Sequence, residues 1–161
     1  MITVETGSQT DCADVLTILQ TAFAPYADLL NPPSGVTRET KQTLQEKLAT
    51  NTLLLAKDGQ TTVGCVLYKQ HEDDPRSIYF GRLAVLPAWQ KQGIARQLVA
   101  QVEQAAQSNN DNKVVLYVRK ILTSNVGFFQ SCGYEIYAEG THSGFTEPTY
   151  YKMVKAVNAK A

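Results

Sequence analysis

The chain has 161 residues, 43% of them hydrophobic and 19% charged, with 15 basic residues balanced by 15 acidic ones. That length suits one domain with a sizeable core, and the zero net charge gives no overall attraction to nucleic acid or an anionic membrane. No apolar run approaches the roughly 18 residues of a bilayer-spanning helix, and Met1 to Glu5 lack the basic and apolar regions of a signal peptide.

In chain order, residues 2–6 alternate apolar and polar and predict a strand ended by Gly7. Cys12, Val15, Leu16, Leu19, Ala22 and Phe23 share one helical face, with Ser8 and Asp11 as caps and Pro25 as the stop. Residues 24–36 hold three prolines and a glycine and predict irregular chain. A second helix is expected from Thr37, as N-cap, to about Ala49, with Glu39 in its first turn. Leu53 to Ala56, the turn signal Asp58-Gly59 and Thr62 to Tyr68 read as a hairpin. Glu72-Asp73-Asp74-Pro75 reads as a solvated loop leading into the apolar strand Ile78 to Leu86, which Pro87 closes.

A long amphipathic helix follows, its stripe made by Ile94, Ala95, Leu98, Val99, Val102, Ala105 and Ala106. Val114 to Val118 is an apolar strand of the kind covered on both faces. Thr123, Ser124 or Asn125 is expected to cap a short helix that Gly133 ends. Strands at 134–138 and 150–154 complete the chain, and residues 157–161 are expected to fray. Cys12, Cys65 and Cys132 are far apart and form no pattern that would hold zinc or build a disulfide framework. No metal is expected, and reduced thiols in a cytoplasmic protein are the simple reading.

The turn between the central strand and the long helix carries the chemistry. An abrupt helix start leaves N–H groups without intrahelical partners, at the positive end of the dipole. Gly93 removes any Cβ from the approach, Ala95 is nearly bare, and Lys91 and Arg96 add cations. The product is a nest for a di-anion such as a pyrophosphate.

Strand, then Gln90-x-x-Gly93-x-Ala95, then helix resembles the acyl-CoA signature of the GCN5-related N-acetyltransferase (GNAT) family. The preceding Leu83-Ala84-Val85-x-Pro87 and the later Asn125 with Gly133-Tyr134 match that family too, so the resemblance covers nearly the whole chain. It implies an α/β (α+β) acyl-CoA N-acyltransferase fold in a single domain, residues 1–156. The sheet would be mixed and mostly antiparallel, of six to seven strands, with helices on both faces and strands 4 and 5 splayed apart.

The resemblance further implies acetyl-CoA as cofactor and a primary amine, small-molecule or peptide, as acceptor, with no nucleic-acid or membrane partner. The protein would be a monomer or homodimer. Backbone at Leu83, Ala84 and Val85 would pair with the pantetheine arm between the splayed strands. Residues Gln90, Lys91, Gln92, Gly93, Ile94, Ala95 and Arg96 would hold the phosphates, and Asn125, Phe128 and Phe129 would flank the arm. Tyr26, Arg82 and Arg119 are candidates for the acceptor side.

Two positions depart from the family's pattern. The Tyr that many members use as general acid is Phe129 here, and the Glu base of some members is Tyr79. The remaining candidates for proton transfer are Tyr79 through a water, Tyr117 and His142. A CoA-binding module without turnover is the alternative that these departures favour.

Overall fold

The computed structural model describes residues 1–157. Seven strands form one open sheet: β1 (Ile2–Thr6), β2 (Thr52–Asp58), β3 (Thr61–Gln70), β4 (Ser77–Val85), β5 (Lys113–Arg119), β6 (Glu135–Gly140) and β7 (Tyr150–Ala156). Their order in the sheet is β1-β2-β3-β4-β5-β7-β6, with β4 and β5 parallel. Four helices accompany them: α1 (Cys12–Phe23), α2 (Lys41–Lys47), α3 (Ile94–Ser108) and α4 (Thr123–Ser131). This is the expected mixed sheet and element order.

The chain forms two compact units. The first comprises Met1–Lys69 and Phe80–Val102. Here β1, β2 and β3 are antiparallel, with Ile2 opposite Asp58 and Leu55 opposite Cys65. Alternation in a strand sends neighbouring side chains to opposite faces. Leu53, Leu55, Cys65 and Leu67 accordingly join Val15, Ile18 and Leu19 of α1 and Leu44 of α2 in one buried cluster. Gly64 lies on the other face, where an added Cβ would stand 3.3 Å from Leu98 of α3. Helices therefore cover both faces of this part of the sheet. Burial pushes the Cys65 thiol up to about 12, so it acts as an inert apolar filler.

The second predicted helix is shorter than its sequence implied. A 3-10 turn occupies Gly35–Arg38, Glu39 is extended, and Thr40 rather than Thr37 caps α2. The reason is a distant partner. The Glu39 side chain is 4% exposed and accepts from Arg82 Nε at 2.8 Å, with Lys47 Nζ at 3.6 Å. Thr43 Oγ1 donates to the same carboxylate at 2.6 Å. Turning Glu39 inward removes its backbone from the helix.

Burial alone would raise the Glu39 carboxyl, but the hydrogen bonds from Thr43 and Arg82 and the two cations hold it below its usual 4.5. A carboxylate favoured by the fold stabilises it at neutral pH and loses that contribution as pH falls below the usual value. Glu39→Gln is expected to cost about 2 kcal/mol at pH 7, discounted because Arg82 keeps some solvent. Urea midpoints at pH 7 and pH 3 check this: the gap between variant and parent should narrow at the lower pH.

Arg82 itself has a φ of 55°, in the left-handed region, inside β4. A bulky residue there interrupts the pleat of the strand in the manner of a β-bulge. The guanidinium lies over Gly35, where an added Cβ would come within 2.8 Å of Nη2.

The second unit comprises Gln70–Tyr79 and Glu103–Ala161, of which residues to 157 are described. The β4–β5 ladder is short, running only from Ser77 opposite Lys113 to Tyr79 opposite Val115. β5 continues through Arg119 against β7, and β7 pairs with β6. One sheet face carries the buried side chains Ile78, Val114, Leu116, Val118 and Met153. α4 begins at Thr123 with Leu122 as N-cap and no side-chain cap, so Asn125 lies inside the helix instead of capping it. Gly133 ends that helix with a φ of 97°, as its position predicted.

The expected fraying does not hold at Val157. Its N–H donates to the Asn112 carbonyl at 3.0 Å, its carbonyl accepts from Gln107, and it is 8% exposed. Residues 158–161 lie outside the described residues.

Candidate functional site

In the first unit the loop from Gln90 to Gly93 is tied at both ends. Gln90 Nε2 donates to the Val85 carbonyl at 2.9 Å, fastening the loop to the end of β4. At the other end the Gly93 carbonyl accepts from Gln97 N–H at 3.0 Å, which closes the first turn of α3. Lys91 and Gly93 both take positive φ, 64° and 83°. Left-handed residues in a turn can bring neighbouring N–H groups to one side, as in an anion nest. A Cβ added at Gly93 would meet no atom within 4 Å, so the space before the helix is open. Lys91, Gln92 and Arg96 are exposed beside it, while Ile94 is 2% exposed and anchors the helix to the core.

The loop thus fits a bound diphosphate by backbone shape and by charge. Gln90, however, spends its carboxamide on Val85 and acts there as a fastener. Ala84 and Val85 are buried and Leu83 is half-buried. Tyr26 packs edge-on against Phe23 at 5.8 Å. Arg82, read from sequence as an acceptor-side residue, has its Nε committed to Glu39.

The second unit gathers the proton-transfer candidates. Tyr79 is level with Val115, and Tyr117 lies two residues further along the same face. Their rings are 5.0 Å apart. Tyr150 is 5.5 Å from Tyr117, and His142 is 5.0 Å from Tyr150. Tyr79, Tyr117 and His142 therefore belong to one aromatic chain. His142 Nδ1 is bonded to Thr149 Oγ1, and burial and the Arg119 charge hold its imidazole below its usual value. Arg119 is opposite Tyr150 at the end of β5.

One member of this group was not foreseen. His71 Nε2 lies 3.1 Å from Tyr117 Oη, and His71 Nδ1 accepts from the Asp73 N–H at 3.1 Å. The second bond fixes the neutral tautomer: Nδ1 is the acceptor, so the proton sits on Nε2 and is donated to the tyrosine oxygen. Tyr117 is thereby left to donate its own O–H elsewhere. Burial, then the neighbouring Tyr137, Tyr79, Tyr150 and Asp73, push its phenol up to about 12. His71 begins the acidic loop and carries no motif, so only the alternation that pairs Tyr79 with Tyr117 was available from sequence.

On α4, Phe129 is 8% exposed and packs on Tyr134 at 6.3 Å, with Phe128 5.2 Å away. The Asn125 side chain makes no capping bond for its helix.

The model of the acetyltransferase (GNAT) family matches residues 17–134 of this chain. The chain belongs to the GNAT family. No curated protein sequence matches this GNAT chain. Solved GNAT structures resemble it over its full length. The ribosomal-protein-S18-alanine N-acetyltransferase from Escherichia coli is 15% identical, covering 100% of this chain and 97% of its own, with a TM-score of 0.79. The paia N-acetyltransferase from Thermoplasma acidophilum, in complex with coenzyme A, is 16% identical over 97% and 99%, with a TM-score of 0.80. The yncA protein of Salmonella typhimurium, with acetyl-CoA, is 15% identical over 100% and 96%, with a TM-score of 0.72. At these identities the likeness is one of fold. Among the described residues, no helix of this GNAT protein is long and apolar enough to cross a membrane.

Proposed function

We propose that this GNAT protein transfers the acetyl group of acetyl-CoA to the primary amine of a small molecule or peptide. The observation that carries the reading is the open, Cβ-free space at Gly93 between a left-handed Lys91 and the start of α3. Such a space before a helix N-terminus suits a bound diphosphate. Backbone N–H groups from Lys91 to Arg96 would hold the phosphates, and the side chains of Lys91 and Arg96 would add charge. In the same unit, backbone at Leu83 to Val85 would hold the pantetheine amides. When bound, acetyl-CoA supplies an acetyl thioester activated toward attack by an amine.

The protein's own part is to position the amine and to hold a proton where a leaving group needs one. Phe129 cannot supply that proton. Tyr117 carries a proton at neutral pH, and the His71 N–H on its oxygen offsets the burial that makes the phenol a weaker acid. The His71 N–H steadies the phenolate that forms when the proton leaves. Tyr79 shares the face and would orient a water or the acceptor.

Incubation with acetyl-CoA, a panel of primary amines and a thiol-detecting dye tests the reading. Thiol release above the hydrolysis blank, with a product heavier by one acetyl group, is expected. Retention of coenzyme A with no release across the panel would leave a binding module in place of an enzyme. No retention at all would refute both.

A further inference from the structure

The second unit contains a cavity of about 410 Å³ beside Tyr117. Its floor is apolar, made by Val115 and Val154, which face each other across the β5–β7 ladder. Its walls include the rings of Tyr117 and Tyr137. Four charged side chains line it, and two of them cancel: Lys113 Nζ lies 3.1 Å from Asp74 Oδ2. The other two have no such match. Among the described residues, Lys152 Nζ meets no carboxylate and sits 5.6 Å over the Tyr117 ring, and the Asp73 carboxylate meets no cation. Asp73 lines the same cavity as Tyr117 and Tyr137.

One unmatched anion and one unmatched cation share a small cavity with aromatic walls and an apolar floor. A simple amine would satisfy Asp73 and leave Lys152 opposed. A simple carboxylate would do the reverse. A molecule with both charges and a flat or apolar body satisfies every group at once. We infer that this cavity binds a zwitterionic amino acid with an aromatic or large apolar side chain, ammonium toward Asp73 and carboxylate toward Lys152. As the identity of the acetyl acceptor, this rests on the acetyltransferase reading above; as a binding site it does not.

Binding is therefore measured without acetyl-CoA, by following ¹³C-labelled tyrosine rings by NMR with three probes. L-phenylalanine carries both charges, 2-phenylethylamine only the cation, and 3-phenylpropionate only the anion. L-phenylalanine should shift the Tyr117 and Tyr137 signals with a Kd at least about tenfold below that of either probe. Lys152→Met should bring it to the level of 2-phenylethylamine, and Asp73→Asn to that of 3-phenylpropionate. Each variant's thermal midpoint is compared with the parent's. Equal affinity for the three probes, or variants that keep the parent's preference, would overturn the inference whether or not acetyl transfer is found. Tight binding of L-phenylalanine with no thiol release would count against the transferase reading alone.

Discussion

Gly93→Val is expected to lower affinity for coenzyme A by about 100-fold or more. Two effects act together. The side chain would occupy the open space in which the phosphates are proposed to lie, and a β-branched residue resists the φ of 83° found there. Strain and obstruction are separable. Gly93→Ala also suffers the positive φ, but its single Cβ meets nothing within 4 Å. It should retain a good part of the binding that Val removes. Calorimetric titration of coenzyme A into each variant, with circular dichroism to confirm the fold, gives the comparison. Undiminished affinity in a folded Gly93→Val protein would remove the phosphate cradle from this loop.

Tyr117→Phe is expected to reduce kcat by about 10²- to 10³-fold while leaving KM for acetyl-CoA nearly unchanged. The phenylalanine ring keeps the stacking on Tyr79 and Tyr150 and loses only the oxygen. The pH profile carries the sign. A donor held up to about 12 is fully protonated through the working range, so the parent should show no falling alkaline limb below about pH 10. Its rate should rise with pH as the acceptor amine loses its proton. His71→Phe should lose part of the same kcat, because the phenolate would then form without a donor to its oxygen. A Tyr117→Phe rate within threefold of the parent, measured by thiol release, would exclude the phenol from proton transfer.

What the sequence disclosed and what it withheld divide by the range of the interactions involved. Gln90, Gly93 and the stripe beginning at Ile94 act within a few residues of one another. The loop and helix could be read directly, and so could Gly133 at the end of α4. The departures came from partners far along the chain. Glu39 and Arg82 are 43 residues apart, and their ion pair moved the start of α2 to Thr40. His71 and Tyr117 are 46 apart, and nothing in an acidic loop announced that its first residue turns toward a tyrosine. Val157 is held by Asn112 and Gln107, so a tail of small residues hid one that belongs to the core. Periodicity and caps report on backbone within a turn or two, and they are silent about which polar side chain meets which.

The arrangement at Arg82 ties three scattered positions into one evolutionary unit. Its left-handed backbone is tolerated with a long side chain because Glu39 grips the guanidinium, and the guanidinium, held there, crowds a side chain at Gly35. A relative that has lost the acid at 39 gains nothing from arginine at 82. Such a lineage should drift toward glycine or asparagine there, and position 35 should then become free to vary. Substitutions at 35, 39 and 82 are thus expected to appear together or not at all, and any one made alone should read as more harmful than the full set.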